Sequence, residues 1–167
     1  MSYYIIIRGP LGIGKTTISK LLSKQLKAKY FSMDKILSDN NLDKRGKEPC
    51  IPVRNFIKAN NIILPEIKKA LKNKKIVILD GCFYHKEQIS HLEKSLKFKQ
   101  IVFDLKAPVE VCINRDSKRS KVYGQGAAHA VYNLVSRFNY GIVIDTNRKN
   151  KNQVVKEILN RLPKIEN

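Results

Sequence analysis

Residues 9 to 16 read Gly-Pro-Leu-Gly-Ile-Gly-Lys-Thr and follow directly on the apolar run Tyr3-Tyr4-Ile5-Ile6-Ile7. The spacing is G-x-x-x-x-G-K-[ST], and few short patterns constrain a fold more tightly. A strand has to deliver the chain to such a loop, and a helix has to leave from it. Both are legible: Ile18, Leu21, Leu22 and Leu26 recur on one helical face after the loop, with Lys and Ser on the other. Gly9, Gly12 and Gly14 let the backbone curl, with Ile13 inside the same stretch, so that successive N–H groups point inward at phosphate oxygens. The positive end of the following helix, which carries Thr17, adds to that attraction. Lys15 then reaches the β- and γ-phosphates of a nucleoside triphosphate, and the Thr16 hydroxyl is placed to ligate Mg²⁺.

A chain of 167 residues is long enough for one domain that buries a core without disulfides or a structural metal. Its three cysteines, Cys50, Cys82 and Cys112, are scattered, which suits small apolar core fillers in a reduced, cytoplasmic protein. The three histidines show no metal-binding spacing, so no zinc site is expected. The opening apolar run is too short for a signal peptide, and no stretch approaches membrane-spanning length, so no membrane partner is expected. Charge is the second constraint. Thirty-three Lys and Arg against 14 Asp and Glu give a net charge of +19, which draws polyanions: nucleic acid, nucleotides or phosphorylated metabolites. The lysines are spread along nearly every helical stretch, as a solvated surface would also have them, and no RNP-like aromatic motif or RGG segment accompanies them.

Strand-like runs recur at Tyr3–Ile7, Tyr30–Met33, Ile76–Leu79, Ile101–Leu105 and Gly141–Ile144, separated by amphipathic stretches. Leu64, Ile67 and Leu71 share one helical face around Pro65, read as a first-turn residue. Ile89, Leu92 and Leu96 share another. The residues Ala127, Ala130, Val131, Leu134, Val135 and Phe138 form a third, and Val154, Val155, Ile158, Leu159 and Leu162 a fourth, stopped at Pro163. Strands alternating with helices mean βαβ units and a parallel sheet, and continuous apolar strands mean helices on both faces. The expectation is one three-layer α/β domain over residues 1–167.

Such sheets bind ligands at the carboxyl ends of their strands, so the residues just after each strand carry the chemistry. Asp34 follows the second strand, where a carboxylate could take the proton of an attacking hydroxyl or could simply cap the next helix. Asp80 ends Ile76-Val77-Ile78-Leu79, a Walker-B-like position for orienting Mg²⁺, and Gly81 lets the chain turn away. Arg115 and Arg119 lie at i and i+4 ahead of Gly124 and Gly126. That arrangement suits a lid over phosphates at about 115–126, or an exposed charged helix end. Asn147 and Arg148 follow the fifth strand, where loops can line a nucleotide base. Arg54 could grip an anionic acceptor, or be one more surface arginine.

With these features in this order, nearly the whole chain resembles the small P-loop kinases, the fold of nucleoside monophosphate, shikimate and gluconate kinases. It is most similar to the branch of polynucleotide kinase, chloramphenicol phosphotransferase and the zeta toxins. That resemblance implies a five-stranded parallel sheet ordered 2-3-1-4-5, with Asp34 as general base and Arg115 and Arg119 as lid arginines. It also implies that Thr146 to Arg148 border the adenine. Asp80-Gly81-Cys82-Phe83-Tyr84-His85 is similar to the Asp-Gly-Phe-Pro-Arg of adenylate kinase, with Tyr84 and His85 standing where that enzyme has the arginine that holds the acceptor phosphate. Tyr84 is therefore a candidate acceptor contact, and a monophosphate acceptor is disfavoured. No N-K-x-D guanine-reading motif follows any strand, so ATP is the expected nucleotide.

The expected function is transfer of the γ-phosphate of ATP·Mg²⁺ to an acceptor hydroxyl on a small metabolite, a nucleotide-like compound or a nucleic-acid 5′ end. The acceptor is expected to be anionic. The alternatives are a nucleoside monophosphate kinase and a non-catalytic ATP-dependent module that binds RNA or a partner.

Overall fold

A computed structural model describes residues 2–118 and 124–163. Five strands, β1 (Tyr3–Arg8), β2 (Lys29–Ser32), β3 (Val77–Gly81), β4 (Lys99–Lys106) and β5 (Ile142–Asp145), form one parallel sheet ordered β2-β3-β1-β4-β5. Seven helices connect and follow them: α1 (Lys15–Leu26), α2 (Met33–Asp39), α3 (Val53–Lys72), α4 (Lys86–Leu96), α5 (Val109–Ser117), α6 (Gln125–Ser136) and α7 (Lys151–Arg161). The expected strand order is thus the observed one, and the strands lie within a residue or two of their apolar runs.

Alternate residues of β1 enter two separate cores, which is why its sequence is apolar throughout. Tyr4 and Ile6 pack with residues of α2, α3, α4 and α6, among them Leu37, Ile67, Leu92 and Val135. Tyr3, Ile5 and Ile7 pack with residues of α1, α5 and α7, among them Leu22, Cys112 and Ile158. The result is three layers, with Cys82 in one core and Cys112 in the other.

Helix α3 begins at Val53 after the N-cap Pro52, and Pro65 sits inside it rather than in a first turn. The reason is a buried stripe longer than the one read from the sequence: Phe56, Ala59, Asn60, Ile63, Leu64, Ile67, Ala70 and Leu71. Pro65 faces outward, so burial of that stripe outweighs the lost backbone hydrogen bond.

The loop that follows β1 is anchored by a residue the sequence reading passed over. Arg8 is fully buried at the end of β1. Its register partner on β4 is Asp104, itself buried, and Nη1 donates to Asp104 Oδ1 at 2.9 Å. The rest of the guanidinium donates to three carbonyls: Nε to Phe83 at 2.9 Å, Nη2 to Val135 at 2.7 Å and Nη1 to Phe138 at 3.1 Å. The Phe138 ring lies against it, 4.1 Å from Cζ to centroid. The remaining Asp104 oxygen accepts from the Tyr140 N–H at 2.8 Å. One cation therefore ties the strand before the phosphate loop to the β3–α4 turn and to the carboxyl end of α6. Phe83 adopts φ 45°, a left-handed conformation unusual for a bulky residue, and its carbonyl is the one that accepts from Arg8 Nε.

Replacing Arg8 with Met would leave Asp104 charged and buried without its cation. We expect a loss of about 3–5 kcal/mol, read as a lowered urea midpoint, with Arg8→Met/Asp104→Leu recovering part of it. An Arg8→Met midpoint equal to wild type would show that the pair does not hold the sheet end together.

Candidate active site

The phosphate-loop glycines do different jobs. Gly12 has φ 75°, and a Cβ there would lie 2.0 Å from the Cys112 carbonyl oxygen of α5, so α5 can pack this closely only against glycine. Gly14, the N-cap of α1 with φ 99°, would have nothing within 4 Å of a Cβ, which leaves bare backbone facing open space. Gly9 is instead packed against Ile13 and Leu105. Lys15, buried at the first position of α1, donates from Nζ to the Pro10 carbonyl across the loop at 2.8 Å. These residues open onto a cavity of about 240 Å³, lined by Gly12, Gly14, Lys15, Thr16, Thr17, Asp34 and Arg115.

Asp34 is exposed in the first turn of α2. Ser32 is the N-cap, accepting from the Lys35 N–H at 3.5 Å, so Asp34 is not committed to capping. Its side chain lines the cavity at the phosphate loop.

Asp80 lies next to last in β3 and is only 2% exposed. Burial raises its pKa above the ordinary carboxylate range. The Thr16 hydroxyl and Lys15 pull it back down, while Asp34 adds to the rise. Its Oδ2 has no hydrogen-bond partner in the structure. Beside it the Tyr30 phenol, pushed up by burial and then by Asp80, is likewise unpartnered at its oxygen. Tyr30 and Ser32 share one face of β2, and Ser32 is the register partner of Asp80. An orphaned carboxylate oxygen beside two hydroxyls is a set of hard oxygen ligands, the chemistry that Mg²⁺ requires. Thr16 and Asp80 would hold that ion, as their spacing in the sequence suggests. Tyr30 was missed, because its place beside Asp80 follows from the register of β2 against β3.

Arg115, near the end of α5, is held by Thr146: Nη1 donates to its Oγ1 at 3.1 Å and Nη2 to its carbonyl at 3.0 Å. It lines both the first cavity and a second of about 210 Å³, whose other lining residues include Ile13, Thr17, Thr146, Lys149 and Lys151. Asn147 and Arg148 lie in the same β5–α7 turn but line neither cavity. Asn147 donates its N–H to Asp145, and Arg148 adopts φ 59°. Arg119 lies outside the described residues. Of the segment expected as a lid at about 115–126, residues 115–117 belong to α5 and 125–126 to α6, and 119–123 lie outside the described residues.

Arg54 is exposed and ion-paired with Glu48 at 3.1 Å, and it lines neither cavity. Tyr84 is largely buried in an aromatic cluster, its ring centroid 5.2 Å from Phe56 and 4.8 Å from His85. His85 Nε2 is 2.9 Å from the Ile51 carbonyl. Burial raises the Tyr84 pKa, with Cys50, Cys82 and Asp34 adding to the rise. Tyr84 is thus packed among rings rather than on an open surface, and it lines neither cavity.

A family model described as "AAA domain" matches residues 5–138. Over 36 residues the chain is 44% identical to the shikimate kinase of Marinomonas sp. (strain MWYL1), a match that spans 22% of this chain and 20% of that protein. In three dimensions it is similar to a sugar kinase from Janibacter sp. HTCC2649, at TM-score 0.78 and 16% identity over 96% of this chain and 94% of that one. It is also similar to a gluconokinase from Sinorhizobium meliloti 1021, at TM-score 0.70 and 14% identity over 94% and 89% of the two chains. At these identities the three-dimensional likeness is one of fold.

The raised pKa of Asp80 carries a sign. A carboxyl whose pKa is higher folded than unfolded weakens the fold once pH rises through the folded value. Asp80→Asn should therefore melt above the ligand-free wild type at neutral pH, by an amount of order 1–3 kcal/mol, with the gap closing as pH falls through the Asp80 pKa. Equal melting temperatures across the pH range would contradict the buried, uncompensated charge.

Proposed function

The chain belongs to the AAA domain family, and we propose that it is a single-domain, ATP-dependent kinase that phosphorylates a hydroxyl of a small, polyhydroxylated acceptor. The observation that carries this reading is the placement of Asp34, which lines the same cavity as Lys15, Thr16 and Arg115. A pure nucleotide binder has no use for a free carboxylate aimed at the phosphate loop.

The bare backbone at Gly14 and the start of α1 would receive the β- and γ-phosphates, with Lys15 exchanging its bond to Pro10 for one to phosphate. The second cavity would take the nucleoside, and the Arg115 plane, fixed by Thr146, would form the wall between base and phosphates. Thr16 and Asp80 would hold Mg²⁺, which would supply neutralisation of phosphate charge. Asp34 would hold the acceptor hydroxyl in line and take its proton as the new P–O bond forms. Arg115 would offset charge on the transferred group, helped by Arg119.

The acceptor class rests on two supports. Among the similar proteins are a sugar kinase, a gluconokinase and a shikimate kinase. The turn after Asp80 carries Tyr84 and His85 locked in ring contacts, not a free cation for a nucleoside monophosphate. Asp34 as a strand-end base keeps the likeness to the polynucleotide kinase, chloramphenicol phosphotransferase and zeta toxin branch within the proposal.

Asp34→Asn is expected to lower kcat about 10²- to 10⁴-fold while leaving ATP·Mg²⁺ affinity unchanged in titration calorimetry. Turnover near wild type in that variant would remove Asp34 from the mechanism. Lys15→Ala should weaken ATP binding about ten- to a hundredfold, against no change for the exposed Lys20→Ala, and parity between the two would refute the loop assignment.

A further inference from the structure

We infer that the pole of the molecule opposite the phosphate loop is a docking surface for the phosphodiester backbone of a nucleic acid, separate from the site of phosphoryl transfer. All five strands are parallel, so their amino ends face one pole together, along with the carboxyl ends of α1, α3 and α4. Exposed lysines collect there. The last turns of those helices carry Lys24, Lys69, Lys72 and Lys94. Cations in a last turn are accounted for by the helix dipole.

The dipole does not account for the rest. Lys27, Lys74, Lys75, Lys97 and Lys99 are exposed beyond the helix ends, in the loops and strand starts that enter β2, β3 and β4. Three of them occupy backbone that favours glycine: Lys27 at φ 50°, Lys74 at φ 57° and Lys97 at φ 52°. Each stands where α1, α3 or α4 stops and turns into the next strand. At all three equivalent places the chain holds a lysine in a left-handed conformation in which glycine would be easier. No ion pair engages these three among the described residues. Lys29 and Arg161, nearby, are paired with Glu66 and Glu157. Around the phosphate loop Lys35, Arg54 and Lys149 are paired with acids, and Lys151 has no ion pair among the described residues.

The geometry of this pole matches a linear polyanion. The lysines precede β2, β3 and β4, which span three strand intervals because β1 lies between β3 and β4. At about 4.8 Å per interval that row is about 14 Å long, the axial rise of about four nucleotides along one strand. A membrane surface is the other polyanion such a row could meet, but stable membrane attachment takes an apolar or lipid anchor besides the basic patch. The exposed large hydrophobic residues among the described ones, Ile62 and Val143, lie within α3 and β5 and not at this pole. Lysines without base-reading aromatic partners imply contact with phosphate rather than sequence. The inference stands independently of the kinase reading, since it uses no residue of the phosphate loop.

The test replaces all three strained lysines by glycine. K27G/K74G/K97G relieves left-handed backbone, so it should melt at or above the wild-type temperature and bind a fluorescent ATP analogue as wild type does. Binding of a fluorescein-labelled oligouridylate, followed by anisotropy across a salt series, should weaken about tenfold or more. The slope of log K against log salt should become shallower by about 2, from about 0.7 for each of three lost single-strand phosphate contacts. Saturating ATP·Mg²⁺ should not displace the oligonucleotide. The inference is overturned if wild type fails to bind the oligonucleotide, if the triple variant binds it equally, or if ATP competes it away. Binding to phosphatidylserine vesicles without binding to the oligonucleotide would also overturn it, by assigning the pole to a membrane surface.

Discussion

A guanidinium carried out of water at the end of β1 sets the terms for everything built on the next loop. Arg8 satisfies Asp104 and three backbone carbonyls drawn from the β3–α4 turn and the end of α6. A buried charge is tolerated only when it is paired and hydrogen-bonded, so these segments cannot drift apart without exposing the cost. Because Gly9 follows Arg8 directly, the start of the phosphate loop inherits that fixed position. Gly12 then brings α5 against the loop closely enough that a methyl group would collide with a backbone carbonyl. The loop is thus clamped from its strand by charge and from α5 by contact.

That clamping explains how a small sheet can present reactive groups without flexible scaffolding. Thr16 and Lys15 arrive from the first turn of α1, Asp80 from β3, Asp34 from the first turn of α2 and Arg115 from α5. All but Arg115, which lies near the end of α5, come from the carboxyl end of a strand or the helix turn next to it, as parallel α/β sheets dictate. The two carboxylates are set in different surroundings. Asp80 is buried with an unpartnered oxygen, whereas Asp34 is open to the cavity. That difference suits one to a cation and the other to a proton.

The P-loop spacing made β1, the loop and α1 legible, and the continuous apolar runs gave all five strands. The sheet order came through resemblance, because nothing in a single strand's composition names its neighbour. Pro65 misled the reading of α3, since a local breaker was weighed against three apolar positions when the stripe has eight buried ones. Arg8 and Asp104 were invisible as a pair, because a partnership across β1 and β4 depends on register, which the sequence does not display. Tyr30 was hidden for the same reason. Asn147 and Arg148 lie in the β5–α7 turn beside the second cavity, but which residues of a turn face inward depends on backbone angles. There Thr146, Lys149 and Lys151 face the cavity instead. The lysines were read as evenly spread because sequence order interleaves the two poles that the fold separates.

Phosphoryl transfer to a small hydroxylated acceptor leaves a labelled product that can be followed directly. The most direct measurement is transfer of label from γ-³²P ATP, with Mg²⁺, to sugars, sugar acids and cyclic polyols supplied one by one. The expected result is a phosphomonoester product that carries the label and requires both acceptor and Mg²⁺. ATP that is bound but keeps its label against every hydroxylated acceptor, or that yields only inorganic phosphate, would contradict it.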